Sequence, residues 1–294
     1  MEIVLGLLTF VGLYAAEHYS YILFHCLAEL FSVVIASAIF VIAWNTRKIA
    51  DNHFFLFVGV AFLFIGAVDL LHTFAYKGMD VFEGYGANLP TQLWITARYL
   101  ESLSLLVAPV FLRRKPKIYA VFAAYSLAVG LLLLSLFVFR SFPDCFVDGV
   151  GLTPFKIASE YVVCAILVAA IAVLRKNREL LDGYVVKLLS ASMIITILSE
   201  LSFTLYIDVY GLFNMLGHYL KVVSFYLIYK AVIEKGLTQP YTTIFRDLKR
   251  SETLLQQSRE EQRIIFDSDP SWIYYKNRDN QFVRVNQSFA DIMG

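Results

Sequence analysis

Long apolar runs alternate with short polar breaks from residue 3 to residue 235. The runs fall near 3–16, 21–44, 53–74, 92–112, 118–138, 156–174, 186–208 and 212–235. About 20 apolar residues in helical form cross a hydrocarbon core. The pattern therefore predicts an all-α integral membrane helical bundle of about eight transmembrane helices. The first run is short, and a cleaved signal peptide with "LYAAEH" as its cleavage site is the alternative. "MEI" lacks the basic start that such peptides carry, which argues against it.

After Lys235 the pattern changes. "GLTQPYTTIFRDLKRSETLLQQSREEQRIIF" is polar and rich in helix formers beyond Pro240. Tyr241, Ile244, Leu248, Leu255 and Ile265 fall near one face, interrupted by Ser251, Ser258 and Gln262. That weak heptad suits a marginal two-stranded coil, and hence a homodimer; a single solvated linker helix is the alternative. From Asp267 onward "WIYYKN" and "QFVRVN" read as strands joined by "RDN", and "QSFADIMG" starts a short helix. So few residues cannot bury a core alone, so the pattern predicts the opening of a larger α/β domain. The expected organisation is a transmembrane domain over 1–238, a linker helix over 239–265 and a domain fragment over 266–294.

Composition supports the membrane reading. Of 294 residues 59% are hydrophobic and only 17% charged, where soluble domains carry roughly a quarter charged. Charge distribution adds orientation. "NTRKIADN" (45–52), "RRKPK" (113–117) and "RKNRELLDG" (175–183) are alternate basic loops and predict a cytoplasmic side. The intervening loops hold Asp80, Glu83, Asp144, Asp148 and Asp208 and predict an outer side. Eight helices then leave both termini in the cytoplasm.

Cys26, Cys145 and Cys164 have neither zinc nor redox spacing. No basic stripe with interleaved aromatics suggests nucleic-acid binding. Neither a GxSxG turn nor a Gly-rich phosphate loop is present, so catalysis by this chain is not expected.

The informative residues are the ionisable ones inside the apolar runs, because such groups are costly in lipid and must face the bundle interior. Same-face pairs recur: His25 and Glu29, Asp69 and His72, Arg98 and Glu101, Lys156 and Glu160, His218 and Lys221, with Glu200 alone on the seventh run. Counted from the predicted outer ends, His25, Glu29, Asp69, His72, Glu101, Glu200 and His218 lie about 2–10 residues deep. At ~1.5 Å per residue this is one layer, roughly 3–15 Å below the outer surface. Arg98 is expected to pair with a carboxylate, and Lys156, near its helix start, can snorkel to the surface.

Two explanations compete for this layer. One is a structural polar network that glues helices; the other is a ligand site formed by His25, Glu29, Asp69, His72, Arg98, Glu101, Glu200, His218 and Lys221. His25, His72 and His218 with the carboxylates suit a transition metal. Two histidines on different helices suit axial haem ligation, and imidazoles also suit a sensor of pH or of a small molecule. Spacing alone leaves these open.

The segments "YILFHCLAELFSVVIASAIFVIAWN", "DLLHTFAYKGM", "NLPTQLWITARYLESLSLLVAP", "FPDCFVDGVGLTPFKIASEY" and "ILSELSFTLYIDVYGLFNMLGHYLKVVSFYLIYKA" resemble, in order, the third class of bacterial membrane-associated sensor (MASE) domains. The resemblance spans roughly residues 3–240 and includes the positions of all nine candidate site residues. "FDSDPSWIYYKNRDNQFVRVNQSFADIMG" resembles the opening of a PAS domain. The resemblance implies an input module of the bacterial inner membrane. Such modules precede PAS domains and a histidine kinase or diguanylate cyclase. It names no ligand.

Overall fold

The computed structural model describes residues 2–47, 53–205, 211–233 and 239–293. Asp208 and residues 48–52 of the first basic loop lie outside them, as do the side chains of Tyr241 and Ile244. The chain divides into two units, Met1–Thr238 and Gln239–Gly294.

The first unit is an all-α bundle: α1 Glu2–Tyr19, α2 Tyr21–Thr46, α3 His53–Ala75, α4 Asn88–Val107, α5 Ile118–Leu133, α6 Pro154–Lys176, α7 Gly183–Ser202 and α8 Leu212–Tyr229. Among the described residues six helices are long and apolar enough to cross a membrane, namely α2 to α7, with α4 and α5 counted together with the turns that extend them. The 18-residue α1 and α8 fall outside that set.

Local signals set the helix boundaries. Ser20 accepts from Leu23 N at the start of α2, Thr153 from Lys156 N at α6, and Asp182 from Tyr184 N and Val185 N at α7. Each satisfies N–H groups that a helix start leaves orphaned. Sequence periodicity placed the fourth span at 92–112, yet α4 begins at Asn88. Pro90 sits in its first turn, where a missing N–H costs nothing. Pro109 acts at the other end: the α-helix stops at Val107 and continues as a 3-10 turn over Ala108–Leu112.

Six helices pack in sequence around a closed ring, α2–α3–α4–α6–α7–α8 and back to α2. Helix α1 lies against α2 and α5 against α3. Within α5 only Val129 is buried, while Tyr119, Leu127 and Leu131 are exposed, as suits a lipid-facing helix. The seam between α2 and α3 depends on small residues. A Cβ on Gly59 would lie 2.6 Å from Ala43 Cβ, and one on Gly66 2.9 Å from Ala36 Cβ. Backbones approach this closely because nothing larger stands between them.

One half of the ring is filled by Ile39, Phe62, Ile65, Leu167, Leu189 and Phe225 with their neighbours. The other half holds the polar residues and lies toward the loops that join α3 to α4 and α5 to α6. In the second of these loops a short hairpin, β1 Phe146–Val147 with β2 Gly151–Leu152, leads into α6. Asn88 fastens this hairpin to α4: its Oδ1 accepts from Cys145 N at 2.8 Å and Phe146 N at 3.1 Å. Burial pushes the Cys145 thiol up to about 12.

The second unit holds α9 Gln239–Ser268, a hairpin of β3 Tyr274–Lys276 and β4 Phe282–Val285, and α10 Gln287–Met293. Among the described residues of this unit, Asn286 is the buried polar hub. Its amide donates to Asp269 O and Ser271 O and accepts from Ile273 N and Phe289 N. Tyr274, Phe282 and Phe289 form an aromatic trio with centroids 5.3–5.5 Å apart. Trp272, Val283 and Ile292 stay exposed.

Candidate functional site

Every helix of the ring contributes an ionisable side chain to its polar half. From α2 come His25 and Glu29, from α3 Asp69 and His72, from α4 Arg98 and Glu101. Helix α6 adds Lys156 and Glu160, α7 adds Glu200, and α8 adds His218 and Lys221. All are at most 4% exposed. The nine residues singled out from sequence therefore meet in one cluster, joined by Lys156 and Glu160.

Glu29 is the hub between α2 and α8. His218 Nδ1 donates to its Oε1 at 3.0 Å, and Lys221 Nζ to its Oε2 at 2.5 Å. Lys221 also lies 3.3 Å from Asp69 Oδ2, which ties α8 to α3. Arg98 Nη2 donates to both Asp69 oxygens at 2.8 Å, and Nη1 pairs with Glu101. One chain of alternating charge thus runs Glu29–Lys221–Asp69–Arg98–Glu101 across four helices. Burying any of these charges alone in a low-dielectric interior is expensive, so the pairing is what makes their presence tolerable.

The histidines form a second string. His72 Nδ1 lies 2.8 Å from Pro90 O, a group that only accepts, so Nδ1 carries the proton. In the neutral ring His72 Nε2 is then an acceptor, and His25 Nε2 donates to it at 3.2 Å. His25 stacks on Tyr76 with centroids 3.6 Å apart, and Tyr76 Oη accepts from Asn214 Nδ2 at 3.1 Å. The Nδ1 of His25 has no hydrogen-bond partner among the described residues.

Sequence reasoning missed Trp94. Its Nε1 donates to Glu200 Oε2 at 3.1 Å, and its ring lies under both Arg98 (4.8 Å) and Lys221 (4.6 Å). An aromatic residue in an apolar run carries no polar signal, so nothing in the pattern separated it from a lipid-facing Trp. Tyr76 and Asn214 were missed for lack of a charge. Lys156 departs from the snorkelling expectation. It is 1% exposed and points inward, 2.5 Å from Glu160 Oε1 and donating to Phe203 O at 2.9 Å. Glu160 in turn lies against the carboxyl of Glu200.

Room beside this cluster is small. A cavity of about 30 Å³ is bordered by His72, Tyr76, Trp94, Lys156, Phe203 and His218. That admits a water molecule or two, or a bare ion, and no slot for a porphyrin opens there. Among the described residues the group with metal-ligand spacing is His25, Glu29 and His218, whose ligand atoms lie within 4.8 Å of one another. Glu29 stands where the sequence reading had His72. Two of these three already bond each other, and Glu29 also holds Lys221, so an ion would compete with existing pairs.

No curated protein and no solved structure gives a match to the chain. A family description does match, "Membrane-associated sensor domain", over residues 16–240. That span takes in α2 to α8, and with them every residue of the cluster. The chain belongs to MASE3, a family of membrane-associated sensor domains.

Proposed function

We propose that the charged layer is the switching element of a bacterial inner-membrane receptor input, with eight spans and both termini in the cytoplasm. A small stimulus, a proton, an ion or a compact polar molecule, changes the pairing within the layer. Helix α8 moves in response, and the linker helix α9 of a homodimer passes that movement to PAS and then to a histidine kinase or diguanylate cyclase. The chain itself performs no catalysis in this reading.

One observation carries it: Lys221, on the helix that leads toward the linker, holds Glu29 of α2 and Asp69 of α3 at once. A change of partner at either carboxylate is a change in the seating of α8. Charge count adds support. Glu29, Asp69, Glu101, Glu160 and Glu200 are five carboxyls against the three cations Arg98, Lys156 and Lys221. The layer can therefore take up positive charge without leaving a cation unpaired. Leu248, Leu255 and Ile265 of α9 are exposed, as a dimer seam requires. A stimulus shifts such an equilibrium only by binding one arrangement better than the other.

His72→Ala and His218→Ala in the full-length receptor test this. Both should alter stimulus response while the protein still inserts in the membrane; an unchanged response in both overturns the proposal. The spacing of His25, Glu29 and His218 favours a metal as a second reading. Metal analysis of the purified protein decides it: a stoichiometric transition metal lost in His25→Ala supports it, and a folded, metal-free protein removes it.

A further inference from the structure

A separate cavity of about 200 Å³ lies at the loop end of the bundle, where the start of α4 faces the end of α5 and the loop beyond it. It is smaller than the roughly 300–1,000 Å³ of drug-sized ligand sites. Its wall carries Tyr85, Asn88, Gln92, Arg140 and Asp144.

Two charged groups of opposite sign share this wall, and they are held differently. Asp144 is anchored. Its Oδ1 accepts from Asn88 Nδ2 at 2.7 Å, and its backbone oxygen accepts from Thr153 Oγ1 at 2.6 Å. Gln92 adds a second strap, donating to Phe142 O at 3.2 Å and Pro143 O at 3.0 Å. Arg140 is poised instead. Its backbone takes the left-handed conformation, φ 48°, which is unfavourable for a residue with a Cβ. Its guanidinium rests over the Tyr85 ring at 5.0 Å. Among the described residues, none of the ion pairs includes Arg140.

A plain anion entering this cavity meets Asp144, and a plain cation meets Arg140. A molecule carrying both charges satisfies both. We infer that the cavity binds a small zwitterion of the α-amino acid class, with its carboxylate on Arg140, its ammonium on Asp144 and its side chain beside Tyr85 and Phe142. By the charge bias of the loops this site faces the outside. Its floor residues Asn88 and Gln92 are on α4, the helix that carries Trp94, Arg98 and Glu101 into the charged layer. Binding at this site is independent of how the layer signals.

The test uses the purified full chain in lipid nanodiscs, with each of the twenty free L-amino acids as probe and acetate and methylammonium as single-charge controls. Thermal unfolding and calorimetry give the readout. At least one amino acid should bind with Kd between about 1 µM and 1 mM, with neither control reproducing the stabilisation. Arg140→Gln and Asp144→Asn should each weaken binding about tenfold or more, as loss of a charged hydrogen bond does. Ser135→Leu, which fills the cavity without altering a charge, should abolish binding and serves if either charge variant fails to fold. No binding by any of the twenty up to ~10 mM, acetate stabilising as well as the zwitterion, or wild-type affinity in the folded variants overturns the inference.

Discussion

The two halves of the helix ring are built from the same six helices and hold together by different physics. In the apolar half, Phe62, Ile65, Leu167 and Phe225 interlock by shape, and Gly59 and Gly66 let α2 and α3 close up. Lipid tails are as apolar as these side chains, so close packing rather than water exclusion is the gain there. In the charged half, Glu29, Lys221, Asp69, Arg98 and Glu101 are held by specific partners on other helices. Shape packing tolerates small slides, whereas paired charges have few acceptable arrangements. The apolar half is thus suited to a fulcrum, and the charged half to a switch.

The sharpest way to break this contrast is to strand a charge. Arg98→Met leaves Asp69 and Glu101 without their main partner and should cost about 3–5 kcal/mol of unfolding free energy in detergent. Ile65→Leu, a volume-conserving swap in the opposite half, should cost less than about 1.5 kcal/mol in the same assay.

Overpacking probes the fulcrum next. Gly59→Val meets Ala43 and should cost about 1–3 kcal/mol. Pairing Gly59→Ala with Ala43→Gly moves the methyl group across the seam and should recover most of the loss from Gly59→Ala alone. Failure of that rescue would mean the seam is not set by close approach.

Asp182→Ala removes the cap of α7 and should cost about 1 kcal/mol by the same unfolding measurement. The smallest effect belongs to Lys77→Ala, which breaks an ion pair with Asp148 at 3.6 Å between side chains 47% and 70% exposed. It should change stability by about 0–1 kcal/mol, and less as salt is raised.

How much of this was legible in sequence depends on what each residue's chemistry announces. Helix positions were readable because a long apolar run is satisfied as a helix, although α1 and α8 fall outside the six helices that are long and apolar enough to cross a membrane. The start of α4 was not, since Asn88, Pro90, Thr91 and Gln92 look like loop until one sees that Pro90, Thr91 and Gln92 are buried and that Asn88 ties the α5–α6 loop to the helix. Most of the charged layer was readable too, because an ionisable group in a span must turn inside and depth counting aligns helices of opposite direction; Lys156 and Glu160 were not, because a lysine at a helix start can equally well reach the surface. The pairings were not. Glu29 with Lys221 and Arg98 with Asp69 join helices whose rotation and neighbours are set by packing, and α2 meets α8 only because the ring closes. Trp94 shows the remaining blind spot: its single N–H on Glu200 and its face beneath two cations are polar roles in an apolar disguise.

In the proposed mechanism the charged half switches while the apolar half supports. The direct test takes the full-length protein and the output of the kinase or cyclase proposed to follow this domain, for Glu29→Gln and Asp69→Asn against apolar-half variants such as Phe62→Leu and Gly59→Ala. Pairs are compared at matched loss of thermal stability. The charged-half variants should shift the stimulus response or lock the output, while their stability-matched counterparts respond as wild type. Equal changes in output from both halves would contradict it.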